Sequence, residues 1–131
     1  MSITSDRTRL ADLLGETVTL TGDTYTIAGY RPPSLRPYTI WCDLASVEPG
    51  CIFGSIESTW AITATVSAKL STRSATVKLD TVTDWILEQL TTAKYGRVQN
   101  IDEYYTIQDP SNGAAQPAVT IYITSTSRIG A

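Results

Sequence analysis

From Trp60 to Lys94 the apolar positions change from every second residue to every third or fourth. Trp60, Ile62, Ala64, Val66 and Ala68 alternate with Ala61, Thr63, Thr65, Ser67 and Lys69, as in a strand with one apolar face. After a break at Leu70-Ser71-Thr72-Arg73-Ser74, the residues Ala75, Leu79, Val82, Ile86 and Leu90 fall on one stripe of a helix ending at Tyr95-Gly96. The strand's apolar face and the helix's stripe both need cover. The pair is therefore expected to pack as one unit, a helix laid on a sheet.

The same patterns place the other elements. Ser5–Leu14 reads as a short helix, with Ser5 as its cap, Asp6 near its positive end, and Leu10, Leu13 and Leu14 as its apolar edge. Gly15 stops it. Thr17–Thr21 and Thr24–Tyr30 read as β segments around a Gly22-Asp23 turn. Arg31-Pro32-Pro33-Ser34-Leu35-Arg36-Pro37 is a stiff connector, because its prolines fix the backbone and remove donors. Tyr38–Ala45 follows as a strand, with Tyr38, Ile40, Cys42 and Leu44 on one face and Thr39, Trp41, Asp43 and Ala45 on the other. Ser46–Ser58 reads as a loop turning at Glu48-Pro49-Gly50. Val98–Ile107 is a strand, Gln108–Gln116 a polar loop, and Pro117–Ser127 a last strand burying Val119, Ile121 and Ile123. This order predicts an α+β fold: an antiparallel or mixed sheet of about four to six strands with helices packed on one face.

Composition narrows the class. The 131 residues suit one domain spanning 1–131, and an apolar fraction of 42% is enough for a core. A net charge of −3 argues against a broad nucleic-acid-binding surface, though not against a pore that DNA passes through. No apolar run approaches the roughly 18 residues of a membrane span, and Met1–Gly15 lacks a signal-peptide pattern, so a cytoplasmic protein is expected. The two cysteines, Cys42 and Cys51, read as reduced thiols, with a disulfide as the lesser alternative. With no histidine and no further cysteine, a zinc shell is not expected.

Candidate chemistry is sparse. Without histidine there is no Ser-His-Asp or Cys-His arrangement, and no glycine-rich loop followed by lysine cradles a phosphate. Asp80, Asp84 and Glu88 share one helix face, either as a solvated side, the favoured reading, or as a paired-carboxylate or divalent-ion site. Tyr104 and Tyr105 point to opposite sides of their strand, as edge residues half packed on the core or as interface residues. Trp41, on a Thr/Asp face, is harder to assign to the core and is a candidate partner contact. Arg31 and Arg36 flank the connector as solvated charges or as contacts to a neighbouring subunit or DNA phosphate. Ile52, Phe53 and Ile56 would each cost roughly 1.5–3 kcal/mol left in water. Either their loop folds back or another chain covers it.

These features together resemble the tail terminator proteins of long-tailed bacteriophages and prophages, the family that includes the minor tail protein of lambda-type phages. The likeness is carried by the helix Ser5–Leu14 and the strand Pro37-Tyr38-Thr39-Ile40-Trp41-Cys42-Asp43-Leu44 after its proline-rich lead-in. Strand Trp60–Lys69 running into helix Ala75–Ala93, and the final pair Ile101–Ile107 and Val119–Thr126, complete it. It covers most of the chain and rests on element order rather than an invariant motif. The Gly15–Tyr30 hairpin and Pro32-Pro33 connector depart from it, being longer than the family's minimum.

The resemblance implies a structural virion protein, not an enzyme, with no catalytic residue, metal or cofactor. Its subunits close into a hexameric ring on the head-proximal end of the tail tube, stop tube polymerisation and offer a head–tail joining surface. The implied partners are further copies of the chain, the major tail tube protein, the head–tail connector, and genome DNA passing through the lumen. No membrane is involved. Ring contacts are expected at Arg31, Arg36, Trp41, Ile52, Phe53, Ile56 and Tyr104. The alternatives are a neck or head-completion connector and, from another class, a small ligand-binding or metal-dependent enzyme domain.

Overall fold

The computed structural model describes residues 3–50, 54–108, 113 and 115–128, the side chains of Thr4, Ser5, Ser127 and Arg128 excepted. Helix α1 (Ile3–Leu14) leads into strands β1 (Thr17–Leu20), β2 (Asp23–Ala28), β3 (Thr39–Pro49) and β4 (Ser55–Thr65). Helix α2 (Thr72–Ala93) and strands β5 (Arg97–Ile101), β6 (Tyr105–Gln108) and β7 (Ala115–Arg128) follow. The strands make one mixed sheet in the order β1-β2-β3-β4-β7-β5, with β6 also paired to β7. Because β5 and β6 lie end to end along β7, the seven strands fill six positions. The fold is α+β.

Helix α2 follows its apolar stripe. Ala75, Leu79, Val82, Ile86 and Leu90 are all buried, joined by Thr83. The helix starts three residues before Ala75, because the Ser71 hydroxyl accepts from the Ser74 N–H and caps it. Lys94 closes it in a left-handed conformation (φ 52°), and the Tyr95 N–H returns to the Leu90 carbonyl. Gly96 then lets β5 approach β7, since a Cβ there would meet the Thr124 carbonyl oxygen at 2.4 Å. At the other end of the chain α1 begins at Ile3, so Ser5 lies inside it rather than at its cap, and the Ser5 side chain is outside the described residues.

One buried cluster joins Leu10 and Leu14 of α1, the α2 stripe, and alternate residues of the sheet: Tyr25, Ile40, Cys42, Trp60, Ile62, Ala64, Val119, Ile121 and Ile123. Arg7 ties α1 to it. Its guanidinium lies 5.0 Å over the Trp60 ring and donates to the Gly29 and Cys42 carbonyls at 2.8 and 3.2 Å. Tyr95 is a second tie, its hydroxyl donating to the Asp6 carbonyl at 3.1 Å. Lys78 of α2 pairs with Asp23 at the start of β2.

Three local expectations change, and one pairing that the sequence pattern did not specify is added. The hairpin turn is Thr21-Gly22, both with positive φ, and Asp23 is already in β2. The two-residue turn with positive φ matches strand twist better than the Gly22-Asp23 register. Ser46–Ser58 is not a loop: β3 and β4 continue through it as an antiparallel pair, with Glu48 opposite Glu57 and Pro49 opposite Ile56. The bulge near Ala45 shifts the side-chain alternation by one residue there, which hides the strand from a period-two reading. The strand expected over Val98–Ile107 is interrupted at Asp102-Glu103-Tyr104. Finally, β2 and β3 are parallel, so the proline connector is a crossover without a helix.

Toward Thr65 the polar side of β4 is buried as well. Thr63 and Thr120 share a hydrogen bond at 3.2 Å, as do Thr59 and Thr124. The Arg36 carbonyl accepts from the Thr39 and Thr65 hydroxyls at 3.1 and 2.9 Å, which ties the connector over this side. Hydroxyls paired in this way tolerate burial that unpaired ones would not.

Two measurements check this core. Ile86→Ala is expected to cost about 2–5 kcal/mol in urea unfolding, and Asp84→Ala, on the exposed face, within about 0.5 kcal/mol. Burial, with the Asp6 carboxylate adding to it, pushes the Tyr95 phenol up to about 12. The folded protein then keeps a proton that the unfolded chain releases near 10.0. Stability is therefore whole below that pH and declines as pH rises to about 12, and Tyr95→Phe should flatten part of that decline.

Candidate assembly surface

Beyond the core cluster, β3, β4 and β7 run on together as a three-stranded extension. Its register continues from Ser46 opposite Thr59 to Ser55 opposite Arg128. The outer half of β3, Ala45–Pro49, is exposed, including Val47. Glu48 and Glu57 sit directly opposite each other on this extension, an arrangement that repels rather than stabilises. Ile56 is half-buried here, whereas Ile52, Phe53 and Cys51 lie outside the described residues.

The sheet ends in β1 on one side and in β5 with β6 on the other. Terminal strands carry backbone donors and acceptors that no neighbour takes up. Along the second edge Ile101, Tyr104 and Tyr105 are exposed by 40%, 38% and 39%. Tyr104 donates its hydroxyl to the Asp80 carboxylate of α2, while Tyr105 pairs with the Thr120 hydroxyl at 2.7 Å on the opposite side of the sheet. Burial, then the hydrogen bond to Asp80, pushes the Tyr104 phenol up to about 12. An open groove of about 420 Å³ runs between the first turns of α2 and β6, lined by Leu70, Ala75, Leu79, Tyr104, Tyr105 and Pro117 among others. Its lining mixes apolar side chains with Thr72, Thr76, Thr106 and the Tyr104 phenol.

The residues singled out from sequence are not gathered into one site. Arg31 and Arg36 are exposed at the connector, and Arg36 acts through its carbonyl. Arg36 and Tyr104 belong to the end of the sheet where Thr39, Thr65, Ala118 and Tyr105 stand in one row. Ile56 is at the other end, nine residues along β4 from Thr65 and hence about 30 Å away. Trp41 corrects an expectation: it is 1% exposed, and its Nε1–H donates to Asp43 at 3.1 Å. The ring is enclosed on the side where the connector is tied, so it offers no surface to a partner.

Asp80, Asp84 and Glu88 are exposed along α2, and among the described residues no three carboxylates or thiols converge. Cys42 is a free, buried thiol, pushed up to about 12 by that burial. Its candidate partner Cys51 lies outside the described residues. Sequence reasoning missed the edge residue Ile101 and the facing Glu48 and Glu57. Only the unread β3–β4 pairing brings those two glutamates together.

Among the described residues no helix is long and apolar enough to cross a membrane. Neither a protein-family model nor a curated protein matches the chain.

Trp41→Ala tests the reassignment of that ring. A loss of about 3–5 kcal/mol in unfolding free energy is expected, as for a core aromatic. An unchanged unfolding midpoint with impaired self-association would return Trp41 to the surface.

Proposed function

We propose that this chain is a structural subunit of a long-tailed phage, a tail terminator. In this reading, copies close into a hexameric ring on the head-proximal end of the tail tube, inside the virion. The ring stops tube growth and presents the surface to which the head connector joins. It is assembled in the host cytoplasm from soluble subunits, and it needs no cofactor because it acts by shape and charge.

One observation carries the proposal: the sheet stops in an open strand at each side, while three of its strands extend past the helix-covered core. A subunit that joins different patches head to tail needs two unlike surfaces, and the β1 and β5/β6 edges are unlike. The extension is a third surface, available to the tube or the connector. The acidic balance of the chain, −3, suits a lumen through which DNA slides without being held.

The test is the mass of the purified protein together with negative-stain images, alone and with tail tubes. A ring of about six copies, in solution or formed only on tube ends, is the expected result. A compact monomer that never associates with tubes would end this reading.

A further inference from the structure

The open edge of β5 is complementary to itself. Along β7 its residues take successive positions: Arg97 opposite Thr124, Val98 opposite Ile123, Asn100 opposite Tyr122 and Ile101 opposite Ile121. Asp102 follows opposite Thr120, donating its N–H to the Thr120 carbonyl at 3.0 Å. Gln99 is the extra residue of the bulge. Directly paired residues share a side of the sheet, so Val98 and Ile101 lie on the side that α2 covers, with buried Ile123 and Ile121. Arg97, Asn100 and Asp102 lie on the other side. Arg97 is exposed, and among the described residues the one ion pair is Lys78–Asp23, which leaves Arg97 without an opposite charge. The Asp102 carboxylate accepts from the Asn100 amide at 3.0 Å. The strand thus begins with a cation and ends with an anion on one side, and it carries two apolar residues between them on the other.

A two-fold axis standing on the sheet beside Asn100 reverses this row onto itself. Two β5 strands then lie antiparallel, with Asn100 opposite Asn100 of the second copy. Arg97 comes opposite Asp102 twice, and Val98 comes opposite Ile101 twice. Every pair joins residues of the same side, as an antiparallel ladder requires. Helix α2 packs over β4 and β7. Four strand spacings then keep the two α2 helices roughly 19 Å apart, which clears a helix diameter of about 10–12 Å. The other open strands have no such match. An antiparallel pair of β1 strands about Val18 sets Glu16 against Leu20, and β6 (Tyr105–Gln108) carries no charge.

We propose that two copies of this chain pair through β5, antiparallel about Asn100, and so continue the sheet from one copy into the other. The two Arg97–Asp102 pairs fix the register, and Ile101, 40% exposed in the single chain, is covered by Val98 of the second copy. The bulge between Val98 and Asn100 keeps the ladder short, so the pair is weak and its charges carry much of the selectivity. A two-fold contact closes at two copies, so the proposal goes beyond the ring-subunit reading and does not rest on it. Where a ring uses the β5 edge, ring and pair exclude one another, and the pair is the form free of tubes.

Sedimentation at low ionic strength tests it with wild type, Arg97→Glu and Asp102→Arg, each checked by circular dichroism. Wild type is expected to pass from monomer to dimer as concentration rises, and each variant alone to need about tenfold more protein. An equimolar mixture of the two variants should dimerise again, because each end of the mixed pair then joins opposite charges; no folding defect would give that result. The register has its own check in Asn100→Cys. Facing Cα atoms of an antiparallel pair lie about 4.5–5.5 Å apart, within reach of a disulfide. Mild oxidation should therefore link Asn100→Cys into dimers well above the level seen in wild type or in Gln108→Cys. A wild type still monomeric at about 1 mM would overturn the pairing. So would association that both charge variants leave unchanged, or a mixture no better than its parts, or cross-linking no greater than in wild type. None of these results bears on rings at tube ends, which the images with tail tubes decide separately.

Discussion

Strand β4 lies between β3 and β7, and it presents Trp60, Ile62 and Ala64 to one side and Thr63 and Thr65 to the other, all buried. Both sides must be closed, and they are closed by different chemistry. The apolar side takes the α2 stripe and α1, with Arg7 holding α1 against Trp60 through a ring contact and two carbonyls. The threonine side takes hydroxyl pairs with β7 and the proline connector, whose Arg36 carbonyl receives two of those hydroxyls. Removing either cover would leave large apolar or unpaired polar groups in contact with the wrong medium.

That two-sided closure explains where the free surfaces are. The covers extend over the middle of the sheet, so what remains open is its periphery: β1, β5 with β6, and the outer part of the β3–β4–β7 extension. The polar groups there are of a kind water tolerates, namely backbone at strand edges, tyrosine hydroxyls and unpaired charges. A chain built this way loses little by standing alone, and its two sheet edges are unlike. The facing Glu48 and Glu57 fit the same picture. Repulsion within the extension is a modest local cost that a basic partner surface would relieve.

The apolar stripe of α2 was legible because a stripe at helical spacing has few other interpretations, and every member of it is buried. Ile121 and Ile123 were legible for the same reason at period two. Trp41 was not, because its neighbours Thr39 and Asp43 are polar, and polarity reads as exposure unless one knows that hydroxyls on adjacent strands and a folded-over connector will close that side. The β3–β4 extension was hidden by a bulge that changes the phase of the alternation, and by a proline and glycine at the end of β3 that read as part of a longer loop. Of the residues picked as contacts, Arg31, Arg36 and Tyr104 stay exposed, Ile56 is half-buried and Trp41 is enclosed.

By itself the sequence determined the buried stripe of α2 and the apolar faces of β4 and β7, since periodicity and the cost of wetting apolar surface act locally along the chain. Only the tertiary structure decided which strands are neighbours, that β2 and β3 run parallel, and that the sheet ends in two unlike edges, β1 and β5 with β6. Those properties depend on pairings between residues far apart in sequence, where many partners satisfy the same local pattern and only simultaneous packing of both sides of the sheet selects one.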